Sequence, residues 1–184
     1  MNPRFRIGRA SGLAPYDDKI AIGGWYYTAK FNDLSEAGPN GLPAQHRGSG
    51  GAYLIGDRLL FQTQDDPAKR VTAFLQAGIG DERVDRFGSY VGSEIAATGF
   101  IASRPNDEMG LAVAAARNGS HYENSQRQQG AAVNDSEIAL DLTYLTQIAD
   151  WLAMQPDAQY VMHPNTNSSL KNALVFQFRV EMSF

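Results

Sequence analysis

The chain has 184 residues, no cysteine and a formal net charge of −4. That length fits one domain, and the missing thiols exclude a disulfide framework and a thiolate metal site. The acidic balance, with no basic cluster anywhere, argues against a nucleic-acid partner. Mean hydropathy is −0.35, and no apolar run approaches the ~18–20 residues of a spanning helix. A low average leaves the membrane open, because a barrel strand shows lipid only alternate residues. Met1 is followed by Asn-Pro-Arg-Phe-Arg rather than an apolar signal segment. The expectation is that a signal has been removed or that a longer protein has been cut.

Residues 1–18 read as a partial strand and turn from an upstream part. Residues 19–32 place Trp25, Tyr27, Ala29 and Phe31 on one face and Tyr26, Thr28 and Lys30 on the other. Residues 50–63 carry Tyr53, Ile55, Leu59 and Phe61, with Asp57 breaking that face. Residues 69–80 give Val71, Ala73, Leu75 and Ile79. Residues 87–102 are rich in Gly and Ala, with Val91 and Ile95 the clearest apolar points, and residues 110–117 give Leu111, Val113 and Ala115.

Helical periodicity is poor almost everywhere. The one tempting stretch, Ile138 to Met154, also reads as parts of two strands around a turn near Gln147–Asp150. Ile138, Leu140, Leu142 and Tyr144 alternate with Glu137, Asp141 and Thr143. Beyond the turn, Leu152, Met154, Ala158, Tyr160 and Met162 alternate with Gln155, Asp157, Gln159 and His163. Pro156 falls on the apolar side, where a central strand normally rejects proline, so a local bulge is expected there. The last segment is the clearest: Leu174, Phe176, Phe178, Val180, Met182 and Phe184 alternate with Gln177, Arg179, Glu181 and Ser183, Val175 being the exception. These strands outrun the ~5–6 residues usual in soluble sheets and suit the ~9–11 residues of a tilted membrane-crossing strand.

Connections supply a second signal. Residues 33–49 and 118–135 read as long polar loops, 81–86 and 163–171 as intermediate. The joins near 64–68, 103–109 and 147–150 read as shorter turns. Long and short then alternate along the chain, as in barrels with short periplasmic turns and longer outer loops. The final strand would run from outside to periplasm and leave Phe184 at the inner interface. The fold class expected is all-β: an antiparallel up-and-down transmembrane β-barrel with about eight strands in this chain.

Several segments resemble the carbohydrate-selective porin family of OprB type. They are Ile22-Gly-Gly-Trp-Tyr-Tyr-Thr, Gly51-Ala-Tyr-Leu-Ile-Gly-Asp-Arg58 and Arg104-Pro-Asn-Asp-Glu-Met-Gly-Leu-Ala-Val113. Glu137-Ile-Ala-Leu-Asp-Leu-Thr-Tyr, the stretch from Trp151 to Pro164 and the final strand join them. The likeness covers roughly residues 19–184, which read as a porin β-barrel segment. It implies half of a sixteen-stranded barrel that lets sugars and other small hydrophilic solutes diffuse passively across the outer membrane of a Gram-negative-type bacterium. The partners it implies are those solutes, outer-membrane lipid and lipopolysaccharide, and the barrel assembly machinery reading the terminal Phe184. The family's arginine-rich constriction is built largely by loops of the other half, so no selectivity filter is carried onto this chain.

Within that frame the pore-lining candidates are Lys30, Glu137, Asp141, Thr143, Gln155, Asp157, Gln159, Gln177, Arg179 and Glu181. Glu137, Asp141, Asp157 and Glu181 could be paired catalytic carboxylates, but alternation sets them on a polar face where charge meets water. Lys30 and Arg179 could guide sugar hydroxyls or anions, or simply be a solvated wall. Trp25, Tyr144, Trp151 and Phe184 are candidates for an interfacial aromatic girdle, ordinary packing being the alternative. His46, His121 and His163 are scattered over three loops without metal-ligand spacing. Gly78-Ile-Gly80 lacks the strand–loop–helix context of a dinucleotide site. No catalytic group, metal or cofactor is expected. The rival reading inverts the alternation: a soluble, closed, eight-stranded lipocalin-like barrel with its apolar side chains around a small ligand.

Overall fold

The computed structural model describes residues 18–183. Its elements are β1 (Lys19–Ala37), β2 (Pro43–Gln62), β3 (Arg70–Gly80), β4 (Phe87–Thr98), β5 (Glu108–Asn118), α1 (Ser120–Gln128), β6 (Ser136–Ala149), β7 (Leu152–Met162) and β8 (Ala173–Met182). The eight strands form one sheet whose order is the order of the chain. Every neighbouring pair is antiparallel. Among the described residues no ladder joins β1 to β8, so the sheet is open and both of its edges are unpaired.

Cross-strand register sorts the side chains into two faces, because directly opposed residues share a face. One face runs through Ile22, Leu54, Ala77, Val91, Ala115, Ile138 and Met162. Beside it run Ile95, Leu111, Leu142, Ala158 and Phe176. This face is uncovered: Ile22 is 80% and Phe176 75% exposed. Among the described residues the only buried apolar side chains are Ala96 and Ala153. A water-soluble sheet would bury such a face against a second layer. A sheet with lipid for its neighbour has no need of one.

Four expectations are corrected. Most of residues 33–49 is strand, not loop: β1 and β2 run past the body of the sheet and turn through 38–42. That hairpin carries an irregularity between Tyr27 and Lys30, opposite Gly48 at φ +90°, a backbone geometry side-chain-bearing residues rarely adopt. Second, Pro156 makes no bulge. It sits in register opposite Phe178, and the β6–β7 pairing skips Tyr144 and Leu145, where a proline has no N–H to give. Third, residues 118–135 are not all loop but contain α1. Its helical period was invisible because the helix buries none of its residues; a Glu123–Arg127 ion pair at 2.8 Å braces its surface instead. Fourth, the β6–β7 turn is Asp150–Trp151, slightly later than expected. The reading of residues 1–17 as part of an upstream strand, and Phe184, lie outside the described residues.

Candidate functional site: the polar wall and its loop-covered end

The second face of the sheet is the candidate site. One register row reads Lys19, Asp57, Phe74, Glu94, Ala112, Asp141, Gln159 and Val175. The next holds Ala96, Gly110, Thr143, Asp157 and Gln177. Eight of the ten pore-lining candidates, Asp141, Thr143, Gln155, Asp157, Gln159, Gln177, Arg179 and Glu181, form one continuous patch on β6, β7 and β8. Gln155 donates from Nε2 to Thr143 Oγ1 at 2.8 Å, and both side chains are buried within the patch. Gln159 Nε2 reaches Asp141 Oδ2 at 3.5 Å, and Arg179 Nη2 pairs with Glu181 at 3.3 Å. Glu94 Oε1, Asp141 Oδ1 and Asp157 Oδ1 accept no hydrogen bond from protein. Buried carboxylate oxygens left so are costly in a dry interior, so this wall suits a hydrated lumen.

The other two candidates stand apart. Lys30 is exposed at the far edge of the sheet, in register with Arg47. The extra residue before it brings Lys30 onto the side of Ser49 and Tyr27, not opposite Tyr27 as alternation suggested. Glu137 opens β6 at the loop end, where its carboxylate accepts the backbone N–H of Asn165. Glu94 belongs to the wall and was passed over because its strand is Gly- and Ala-rich. Its alternation with Val91 and Ile95 was the available signal.

The aromatic candidates divide. Tyr144 lies on the apolar face beside Met109, and its hydroxyl donates to Asp107, which also accepts from Thr146 at 2.9 Å. Arg104 donates to the same Thr146 at 2.5 Å, so the Arg-Pro-Asn-Asp turn is a brace on β6. Trp151 is half-exposed at the β6–β7 turn. Trp25 is on the polar face instead, opposite Gly51 and stacked on Tyr53 with ring centroids 6.4 Å apart. A Cβ on Gly51 would collide with its ring. That placement sets Trp25 on the face opposite the uncovered apolar one, apart from Tyr144.

At one end of the sheet the connections interlock. Arg86, after β3, donates to the side chain and the carbonyl of Asn165, each at 2.7 Å, and to Thr166 Oγ1 at 3.1 Å. Its guanidinium also lies over the rings of Phe87 and Tyr122, 4.9 and 4.8 Å from their centroids. Asn118 reaches Thr166 Oγ1 from β5 at 3.0 Å, and Thr166 is wholly buried. Leu34 donates its N–H to the Arg83 carbonyl at 2.9 Å. Glu82 caps α1 from outside the helix, accepting Ser120 N at 3.0 Å and Ser120 Oγ at 2.8 Å. Those two bonds, and behind them Arg117 and His121, hold the Glu82 carboxyl below its ordinary range against the opposing effect of burial. The backbone at Gly119 stays close to Glu82, which a side chain there would crowd. The sequence offered no hint of these contacts, nearly all of which join residues distant in the chain.

Comparison with known proteins adds three findings. The family model described as carbohydrate-selective porin, OprB family, matches residues 5–184. Porin B of Pseudomonas aeruginosa is 23% identical over 193 residues, a match that covers 94% of this chain and 42% of that protein. A high-pH structure of Pseudomonas putida OprB is similar in fold, with a TM-score of 0.81 at 21% identity, over 91% of this chain and 44% of that one. The chain thus spans less than half the length of either relative.

Proposed function

Because the chain belongs to the carbohydrate-selective porin family of OprB type, we propose that it forms the carboxy-terminal half of a sixteen-stranded outer-membrane channel for passive diffusion of sugars and other small hydrophilic solutes. The observation that carries this reading is the two-faced open sheet. A continuous wall of amides, hydroxyls and carboxylates backs onto an uncovered apolar face, and among the described residues both edges of the sheet are unpaired. Unpaired edges are not tolerated in hydrocarbon, so closure requires further strands. An eight-stranded barrel is just wide enough to be filled by its side chains, whereas a sixteen-stranded one leaves an aqueous channel.

In this reading Asp141, Thr143, Gln155, Asp157, Gln159, Gln177, Arg179 and Glu181 exchange hydrogen bonds with passing solutes. Lys30 and Glu137 serve the mouth of the channel. Tyr144 and Trp151 sit at lipid interfaces, and Phe184 is the residue recognised during assembly. Sugars are the solutes, lipid and lipopolysaccharide the surroundings. No step is catalytic; the wall lowers the cost of stripping water from a sugar hydroxyl by offering another partner. A lipocalin-like barrel is not favoured: the sheet is not closed, and its large apolar side chains enclose nothing.

The chain has no native cysteine, which makes the test simple. Gln177→Cys and Asp157→Cys, in outer membranes, should react with a membrane-impermeant thiol reagent, and Phe178→Cys should not. Equal labelling at all three would refute the wall. The isolated chain should pass no glucose in a liposome-swelling assay.

A further inference from the structure

We propose that Asp33, Glu36 and His46 form a binding site for one divalent transition cation of the zinc class, with His121 as the residue that positions Asp33. The site lies in the part of the β1–β2 hairpin that runs past the sheet. One oxygen from each carboxylate and one imidazole nitrogen lie within 4.8 Å of one another. A cation bonded at about 2.0–2.2 Å holds its ligands roughly 3–4 Å apart. The adjustment needed falls on Glu36, whose side chain is exposed and free to swing inward.

The hydrogen bonds around Asp33 already divide its two oxygens between two tasks. Oδ1 accepts from the backbone N–H groups of Ser35 and Glu36, both at 2.8 Å, and contacts His121 Nδ1 at 2.8 Å. Among the described residues Oδ2 meets only His46 Nε2, at 2.8 Å. One oxygen is thus fixed from behind and the other faces an imidazole, the arrangement by which an outer partner orients a ligating carboxylate. The 2.8 Å between that oxygen and nitrogen is a hydrogen-bond distance, and a cation bonded to both would replace the shared proton and widen it by roughly 0.5 Å.

A second, independent observation concerns charge. The Asp33 side chain is 0% exposed, and its ion-pair partners are two histidines. Among the described residues no lysine or arginine pairs with this carboxylate. Buried charges are normally paired or bound to metal; two backbone N–H groups hold the Asp33 carboxylate in place for a divalent cation seated between Asp33, Glu36 and His46. One imidazole and two carboxylates suit zinc, manganese or iron(II) better than calcium or magnesium, which favour all-oxygen sets. Bound there, the cation would fasten the β1–β2 hairpin to α1 through His121, across three elements.

The test uses the closed barrel that contains this chain, in detergent, stripped with a chelator and titrated calorimetrically with zinc chloride. One equivalent of zinc should bind. Glu36→Gln and His46→Ala should each weaken binding at least tenfold, His121→Gln should weaken it by ~10–100-fold, and His163→Ala, on another loop, should leave it unchanged. Heat-dependent electrophoretic mobility reports whether each variant has folded. Should His46→Ala fail to fold, cobalt(II) added to the unaltered chain decides instead, through the visible bands of a nitrogen–oxygen site. An aqueous cobalt spectrum, no saturable zinc binding, or binding that survives both Glu36→Gln and His46→Ala would overturn the proposal.

Discussion

Phe178→Arg in β8 puts the face assignment under the heaviest load. β8 spans ten residues, Ala173–Met182, and Phe178 is the sixth of them. At ~3.3 Å per residue the strand is roughly 33 Å long. Tilted by ~35–45°, it covers about 25 Å along the membrane normal, the height of the apolar band of such barrels. Phe178 therefore sits near the midplane, 61% exposed, with Pro156 opposite and Phe176 and Val180 beside it on its face. A cation at that depth costs about 2–4 kcal/mol, against about 0–1 near an interface. At 1.4 kcal/mol per decade, the folded fraction falls roughly 30- to 700-fold relative to the unfolded. Gln177→Arg, one residue away on the other face, should cost close to nothing because its guanidinium stays hydrated. The assay is urea titration, in lipid vesicles, of the closed barrel that contains this chain, followed by the electrophoretic mobility shift of folded barrels. Equal penalties for Phe178→Arg and Gln177→Arg would refute the faces assigned here.

Without detergent, the uncovered strip of Leu174, Phe176, Phe178, Val180 and Met182 should drive association, so light scattering should show aggregates; a monodisperse detergent-free protein that binds a hydrophobic ligand would favour the lipocalin-like reading instead. Arg179→Gln removes a cation that, among the described residues, pairs only with Glu181 at 3.3 Å on a half-exposed site; exposed pairs are worth ~0–1 kcal/mol, so assembly should be kept while reversal-potential measurements on the closed channel show a shift toward cation selectivity. Glu82 has its folded pKa depressed by the Ser120 N–H and hydroxyl, so its contribution is complete above the unfolded value of about 4.3 and is lost as pH falls through the lower folded value. Hydrogen exchange at the start of α1 should therefore be slow at pH 6 and accelerate below about pH 4, beyond the intrinsic effect of pH. Glu82→Gln should show the faster exchange already at pH 6; equal protection in both proteins would remove Glu82 as the cap.

The period-2 pattern was enough to locate all eight strands, though β1 and β2 run well past their apolar pattern into 33–49, to read two strands over 138–154 and to assign both faces of β8. Alternation is a local property: successive side chains point to opposite faces whatever the neighbouring strand is. It fails where a single residue is inserted, because an odd step exchanges the faces. Leu59 and Phe61 look equivalent in the sequence, yet Leu59 is opposite Thr72 and Phe61 opposite Val71, on different faces, because the register shifts between them. The same effect sets Lys30 on the side of Tyr27. Trp25 keeps Tyr27 on its face but loses Phe31 to the other beyond the inserted residue, and no local pattern could say which face met lipid; Gly51 across the ladder made room for the Trp25 ring on the polar side. His46 and His121 looked scattered, and their meeting on Asp33 spans 13 and 88 positions in the chain. Arg86 and Thr166 lie 80 apart. Such contacts depend on which strands become neighbours and how their connections fold over the sheet end, and side-chain periodicity carries no term for either.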